Sequence, residues 1–163
     1  MVPFNDTSEM HHSAKASQPE SAKHEGTLPF RARQVPAMPS LFRGMVVSSE
    51  DSVRRRLAEL LRQSGLTPVL ASTVADSQAA LARDKVCMLL CDECLADGNY
   101  QAVVEIVKHA DTKPPVIVFS RAGDWPEYLA AIRAGAYDYL AYPPVPTEIS
   151  RVIRNAFLDR DRS

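Results

Sequence analysis

The chain lacks most of the features that mark whole classes of proteins. It has three cysteines, Cys87, Cys91 and Cys94, an odd number without the spacing of secreted domains. That argues against a disulfide framework and for a reducing compartment. Charge of one sign is not in excess: the net charge is −1. A general nucleic-acid surface needs a basic surplus, so direct nucleic-acid binding is not expected. No apolar run approaches the length of a membrane span. The opening MVPFNDTSEM has neither the basic start nor the apolar core of a signal peptide. These absences lead to the expectation of a cytoplasmic protein with no membrane partner.

What is present suits one ordinary domain and a tail within 163 residues. Residues 1–40 are rich in Ser, Pro, Ala, His and balanced charges, without sustained apolar periodicity. Such a stretch buries too little surface to offset its ordering entropy. A disordered N-terminal tail over 1–40 and a folded domain over 41–163 are therefore expected. His11, His12 and His24 have no Cys or acidic partner at ligand spacing, so they read as solvated tail residues rather than a metal site. The segment from Phe30 to Phe42, with Pro36 and Pro39, reads as an extended lead-in against the domain.

The organising stretch is VCMLLCDECLADG, Val86 to Gly98. A continuous apolar run bounded by turn residues fits a strand buried on both faces of a parallel sheet. Asp92 then stands at the carboxyl end of that strand, the edge where open parallel sheets bind ligands. A carboxylate there is costly unless something satisfies it, so Asp92 is either a site residue or a turn-forming cap.

A regular alternation surrounds it. Met45–Val47 reads as a first strand, followed by a helix with Val53, Leu57, Leu60 and Leu61 at helical spacing and Gly65 as its stop. Thr67–Leu70 is a second strand, and Thr73 caps a second helix through Leu81. After the Val86 strand, Val103, Ile106 and Val107 mark a third helix that His109 ends, a position suited to a cation. Val116–Phe119 is a fourth strand ending at Ser120. Trp125-Pro126 opens a fourth helix with Tyr128, Ala131 and Ile132 facing inward, closed by Gly135. Tyr137–Ala141 is a fifth strand. Pro146 opens a last helix with Ile149, Val152, Ile153 and Ala156 as its buried stripe. Strands alternating with helices over short connections call for an α/β fold with a parallel sheet covered on both faces. Periodicity does not give the strand order.

All strand ends gather on one edge: Ser48, Ser49 and Glu50, then Asp92, Ser120 and Tyr142-Pro143. Here residues 41–159 resemble a response-regulator receiver domain, the CheY-like phospho-accepting half of two-component signalling. Asp92-Glu93-Cys94-Leu95-Ala96-Asp97-Gly98 is similar to the family's acceptor loop, with Ala96 in place of Pro. Val116-Ile117-Val118-Phe119-Ser120 matches its fourth strand with a terminal Ser or Thr. Gly135-Ala136-Tyr137-Asp138-Tyr139-Leu140 matches the approach to its fifth strand. The resemblance implies a flavodoxin-like (βα)5 doubly wound parallel sheet with strand order 2-1-3-4-5.

By position, the resemblance makes Asp92 the phosphoacceptor from a histidine kinase or phosphotransfer protein. It makes Ser120 the hydroxyl that binds the attached phosphoryl group, and Tyr139 the aromatic that reorients. A carboxylate is a competent nucleophile toward phosphorus, and positioning with charge neutralisation is most of what the transfer needs. The chain departs from the family at three places. The acidic pair that holds Mg²⁺ is Ser48 and Ser49 here, with Glu50 next. Mg²⁺ prefers carboxylate and water oxygens, and two hydroxyls replace two charges. A weak or absent Mg²⁺ site at Glu50, Asp92 and the Cys94 carbonyl is what remains, unless Glu50 lies in the first helical turn, where the dipole favours an acid. The family's Lys before the Pro is Tyr142, which brings no positive charge. Its peptide bond to Pro143 is often cis in the family. Arg121 stands where a small residue is usual; it supplies charge, obstructs the pocket or points to solvent.

Two readings stay open: a working receiver that accepts phosphate on Asp92, and a phosphorylation-independent pseudo-receiver that binds a partner protein. Neither is an enzyme turning over a metabolite. With no output domain after Ser163, the effect is expected to pass through a downstream partner or a second copy. In relatives that face comprises the fourth helix, fifth strand and fifth helix, near which lie Trp125, Tyr128, Tyr137 and Tyr139; such aromatics suit interface anchors. A third reading, redox or metal chemistry at Cys91-Asp-Glu-Cys94, is weaker. The motif closes a strand rather than opening a helix, and Cys87 and Cys91 read as buried and inert.

Overall fold

The protein is described by a computed structural model covering residues 42–162, so the expected tail over 1–40 lies outside the described residues. Five parallel strands form one sheet: β1 (Arg43–Val47), β2 (Thr67–Ala71), β3 (Val86–Asp92), β4 (Val116–Ser120) and β5 (Asp138–Ala141). Their spatial order is β2-β1-β3-β4-β5. The expected flavodoxin-like order is therefore the one observed. Val46 stands opposite both Leu70 and Leu90, and Leu90 opposite Ile117; the β1–β3 register shifts once, between Arg43 and Gly44.

Alternation of side chains along each strand divides the core in two. One face carries Met45, Val47, Leu89, Cys91, Val116 and Val118 against Ala80, Val103, Val107 and Ala131. These last come from α2 (Val74–Arg83), α3 (Tyr100–Lys108) and α4 (Trp125–Ala134). The other face carries Val46, Met88, Leu90, Ile117, Phe119 and Leu140. It packs on α1 (Asp51–Gln63) and α5 (Pro146–Arg160) through Leu57, Leu61, Ile149 and Ile153. Each such aliphatic side chain, fully buried, contributes about 1.5–3 kcal/mol relative to exposure. Phe42, at the start of the described chain, meets the Phe157 ring edge-on with centroids 5.1 Å apart.

Local signals explain the boundaries. The Thr73 hydroxyl accepts from the Asp76 amide at 3.0 Å and caps α2. Asn99 does the same for α3, accepting from the Gln101 amide at 3.0 Å. Gly135 closes α4 with φ +112°, in the left-handed region that L side chains avoid. Between β3 and α3 the chain makes a tight hairpin, Cys94–Leu95 pairing antiparallel with Gly98–Asn99.

Two expectations are corrected. Ile132 does not face inward; it is 37% exposed. The inward-facing stripe of α4 runs through partly buried Tyr128, fully buried Ala131 and partly buried Ala134, three residues apart, and leaves Ile132 at its margin. The fifth strand begins at Asp138 rather than Tyr137, whose amide donates to the Val116 carbonyl at 2.7 Å ahead of the ladder.

Candidate functional site

The ends of β1, β3, β4 and β5 bring Ser48, Asp92, Ser120 and Tyr142 to one edge. Asp92 closes β3 opposite Phe119. One carboxylate oxygen accepts from the Ser48 hydroxyl at 2.9 Å, and the other from the Glu93 amide at 3.0 Å. Burial pushes the Asp92 carboxyl above its ordinary range, while the Ser48 hydroxyl and the Arg121 charge pull it back. Ser48 is fully buried. Its hydroxyl also accepts from the Glu50 amide at 3.2 Å, so it is fixed from two sides.

The neighbours of Ser48 are engaged elsewhere. The Ser49 hydroxyl donates to the Ser72 carbonyl at 3.0 Å and accepts from the Ala96 amide at 2.8 Å, tying the β3–α3 hairpin to the end of β2. Glu50 is the N-terminal flanking residue of α1, but its side chain makes no capping bond there. Its carboxylate instead pairs with the Arg121 guanidinium at 2.5 Å. Arg121 also lies over the Tyr142 ring, 5.8 Å from the centroid. Arg121 thus lies at the rim of this edge, more than half exposed to solvent and paired with Glu50, and does not fill the space over Asp92. The Tyr142–Pro143 bond is cis, and the Tyr142 amide donates to the Ser120 carbonyl at 2.8 Å.

Ser120 is buried, and its hydroxyl donates to the Glu93 carboxylate at 2.5 Å. Sequence reasoning missed Glu93, although an acid immediately after the terminal Asp of a buried strand was a usable signal. Tyr139 is 7% exposed, and among the described residues its buried hydroxyl has no partner at hydrogen-bond geometry. Its ring meets Tyr128 edge-on at 6.3 Å, and Tyr128 stacks on Trp125 at 5.2 Å. Trp125 is 69% exposed.

The donor set does not fit Mg²⁺. That ion wants several oxygens with charge to spare in octahedral array. Here Ser48 donates toward Asp92, Glu50 is neutralised by Arg121, and Glu93 is taken by Ser120. Cys94 is an exposed free thiol. Among the described residues no group of three or more His, Cys, Asp or Glu side chains is arranged to hold a metal ion. Cys87 and Cys91 are buried, and burial raises both thiols away from the reactive thiolate. No helix among the described residues is long and apolar enough to cross a membrane.

Comparison with known proteins agrees with this layout. The family described as response regulator receiver domain matches residues 45–154. The photosynthetic apparatus regulatory protein RegA of Rhodovulum sulfidophilum is 28% identical over 109 residues, which cover 67% of this chain and 60% of that protein. The chain thus corresponds to less than two-thirds of that relative's length. The beryllofluoride-activated NtrC4 receiver domain dimer has the same fold, with a TM-score of 0.67 and 24% identity over 72% of this chain and 98% of that one. So does a CheY-like receiver domain protein from Methanospirillum hungatei JF-1, with a TM-score of 0.67 and 18% identity over 76% of this chain and 98% of that one. With the strand order, the converging strand ends and the family match over most of its length, the chain belongs to the response-regulator receiver domains of two-component signalling.

Proposed function

We propose that residues 41–163 act as a pseudo-receiver, a protein-binding module of two-component signalling that switches without phosphorylation of Asp92. The observation that carries this reading is the Glu50–Arg121 ion pair at 2.5 Å beside an Asp92 bonded to a serine. The charge that a phosphoryl group and its metal would need is already matched within the chain. The occupant of its signalling face is a partner protein or a second copy. That face comprises α4, β5 and α5, where Trp125 stands exposed. A cytoplasmic setting goes with this reading.

The competing reading keeps Asp92 as the phosphoacceptor for a histidine kinase or phosphotransfer protein. What favours it is Arg121, whose positive charge acts on Asp92 and substitutes in part for the missing Lys. Incubation with acetyl phosphate or beryllofluoride, with and without millimolar Mg²⁺, separates the two. Intact-mass spectrometry and Trp125 fluorescence are expected to show no change. A phosphate adduct present in the native chain and lost in Asp92→Asn would establish the competing reading instead.

A further inference from the structure

Glu93 follows the β3 terminus, yet its side chain turns back over the sheet edge. Ser120 is 1% exposed, so its proton has no access to bulk water, and it goes to the Glu93 carboxylate at 2.5 Å. The Ser120 hydroxyl oxygen in turn accepts from the Ala122 amide at 3.1 Å, so the Ser120 rotamer is held from two sides. On the neighbouring strand Tyr139 pairs with Val118, two residues before Ser120 and on the same face of the sheet, and its hydroxyl is buried. A part-buried carboxylate, a buried hydroxyl and a buried phenol therefore gather near the ends of β4 and β5. From the phenol ring, contacts run through Tyr128 to Trp125 at the surface.

We infer that Glu93 is an internal anionic ligand of Ser120. Its carboxylate takes the hydroxyl that an external oxyanion would otherwise take, and so fixes Tyr139 in its buried position and sets the aromatic face of α4. The inference rests on the reading that the pocket works without phosphorylation. The physical reason is the cost of an unpaired buried donor. Without the carboxylate, Ser120 must turn to find another acceptor. The space and charge that hold the Tyr139 ring change with it, and the ring leaves for solvent.

The test compares the native chain with Glu93→Ala, Glu93→Gln and Ser120→Ala, with no phosphodonor present. Trp125 emission and acrylamide quenching report the outer end of the aromatic series, and NMR signals of the Tyr139 ring report the inner end. Far-UV circular dichroism confirms the fold. Glu93→Ala is expected to shift Trp125 emission and to lose the buried Tyr139 ring signals. Ser120→Ala is expected to do the same. Glu93→Gln, whose carbonyl still accepts from Ser120, is expected to stay near the native spectra. A folded Glu93→Ala with native Tyr139 and Trp125 signals overturns the inference, and so does a Gln variant as perturbed as the Ala variant. Phosphorylation of native Asp92 would defeat the pseudo-receiver reading but leaves this comparison interpretable, since no phosphate takes part in it.

Discussion

The Asp97 carboxylate accepts from the Val74 amide at 2.7 Å and, through its other oxygen, from the Ala75 amide at 3.1 Å. It thus closes the N-terminus of α2 from the tip of the β3–α3 hairpin, alongside the Thr73 cap. These bonds, the one from Val74 foremost, hold the Asp97 carboxyl below its ordinary value of 3.8. A depressed folded-state value means that the contribution to stability is present above pH 3.8 and is lost as pH falls through the lower folded value. Asp97→Ala is expected to lower the thermal midpoint at neutral pH, and Asp97→Asn to lower it less. The gap between native and Ala chains, followed by urea unfolding, should close under strong acid. A pH-independent gap would mean that the carboxylate charge is not what α2 uses.

Asp92 has the opposite sign. Burial raises its carboxyl above 3.8, so the folded chain holds the proton more tightly than the unfolded chain does. The stabilising effect of the protonated form is complete below 3.8 and is lost as pH rises through the folded value. Asp92→Asn keeps an acceptor for Ser48 and carries no charge. It is expected to match the native chain in acid and to exceed it slightly in thermal midpoint at neutral pH. A variant clearly less stable at neutral pH would show that the Ser48 bond and the Arg121 charge outweigh burial.

The two-faced core makes a sharper contrast. Leu57 is fully buried between α1 and the sheet. Leu57→Ala is expected to cost about 2–5 kcal/mol by chemical denaturation. Ile132→Ala, at the margin of α4, is expected to change stability by no more than about 0.5 kcal/mol. Comparable losses at the two positions would contradict the orientation of α4.

At Gly44 the Leu61 side chain of α1 packs directly onto the β1 backbone. A Cβ there would lie 2.9 and 3.0 Å from the two Leu61 methyls, inside a fully buried contact. Gly44→Ala is expected to cost about 1–3 kcal/mol, the usual range for overpacking. Adding Leu61→Val removes bulk at that spot and should recover part of the loss, a non-additivity that a double-mutant cycle measures.

Much of the fold was legible because the strong signals are local. The apolar run from Val86 to Cys91 has one physical solution at its length, a strand covered on both faces. The α5 stripe of Ile149, Val152, Ile153 and Ala156 is buried as its spacing predicts. Strand order was not legible from periodicity, since pairing is set between segments far apart in the chain; the family resemblance supplied it. Ile132 misled because neighbours on a helix are 100° apart, so a margin residue and a central one share the same apolar code. Within the site, Ser48 and Asp92 were placed together correctly by strand ends alone. The Ser120–Glu93 and Glu50–Arg121 pairs were not foreseen, because they depend on which way side chains turn after their strands end.

The helix α4 rests on one fully buried side chain, Ala131, whereas α5 is anchored by Ile149, Val152, Ile153 and Ala156. Apolar anchorage sets how much free energy an element forfeits when it slides or frays. Of the two helices flanking β5, one is therefore loosely moored and the other firmly seated. A binding protein that grips the loose one works against a shallow energy well, so modest differential affinity suffices to relocate it while the rest of the sheet stays put.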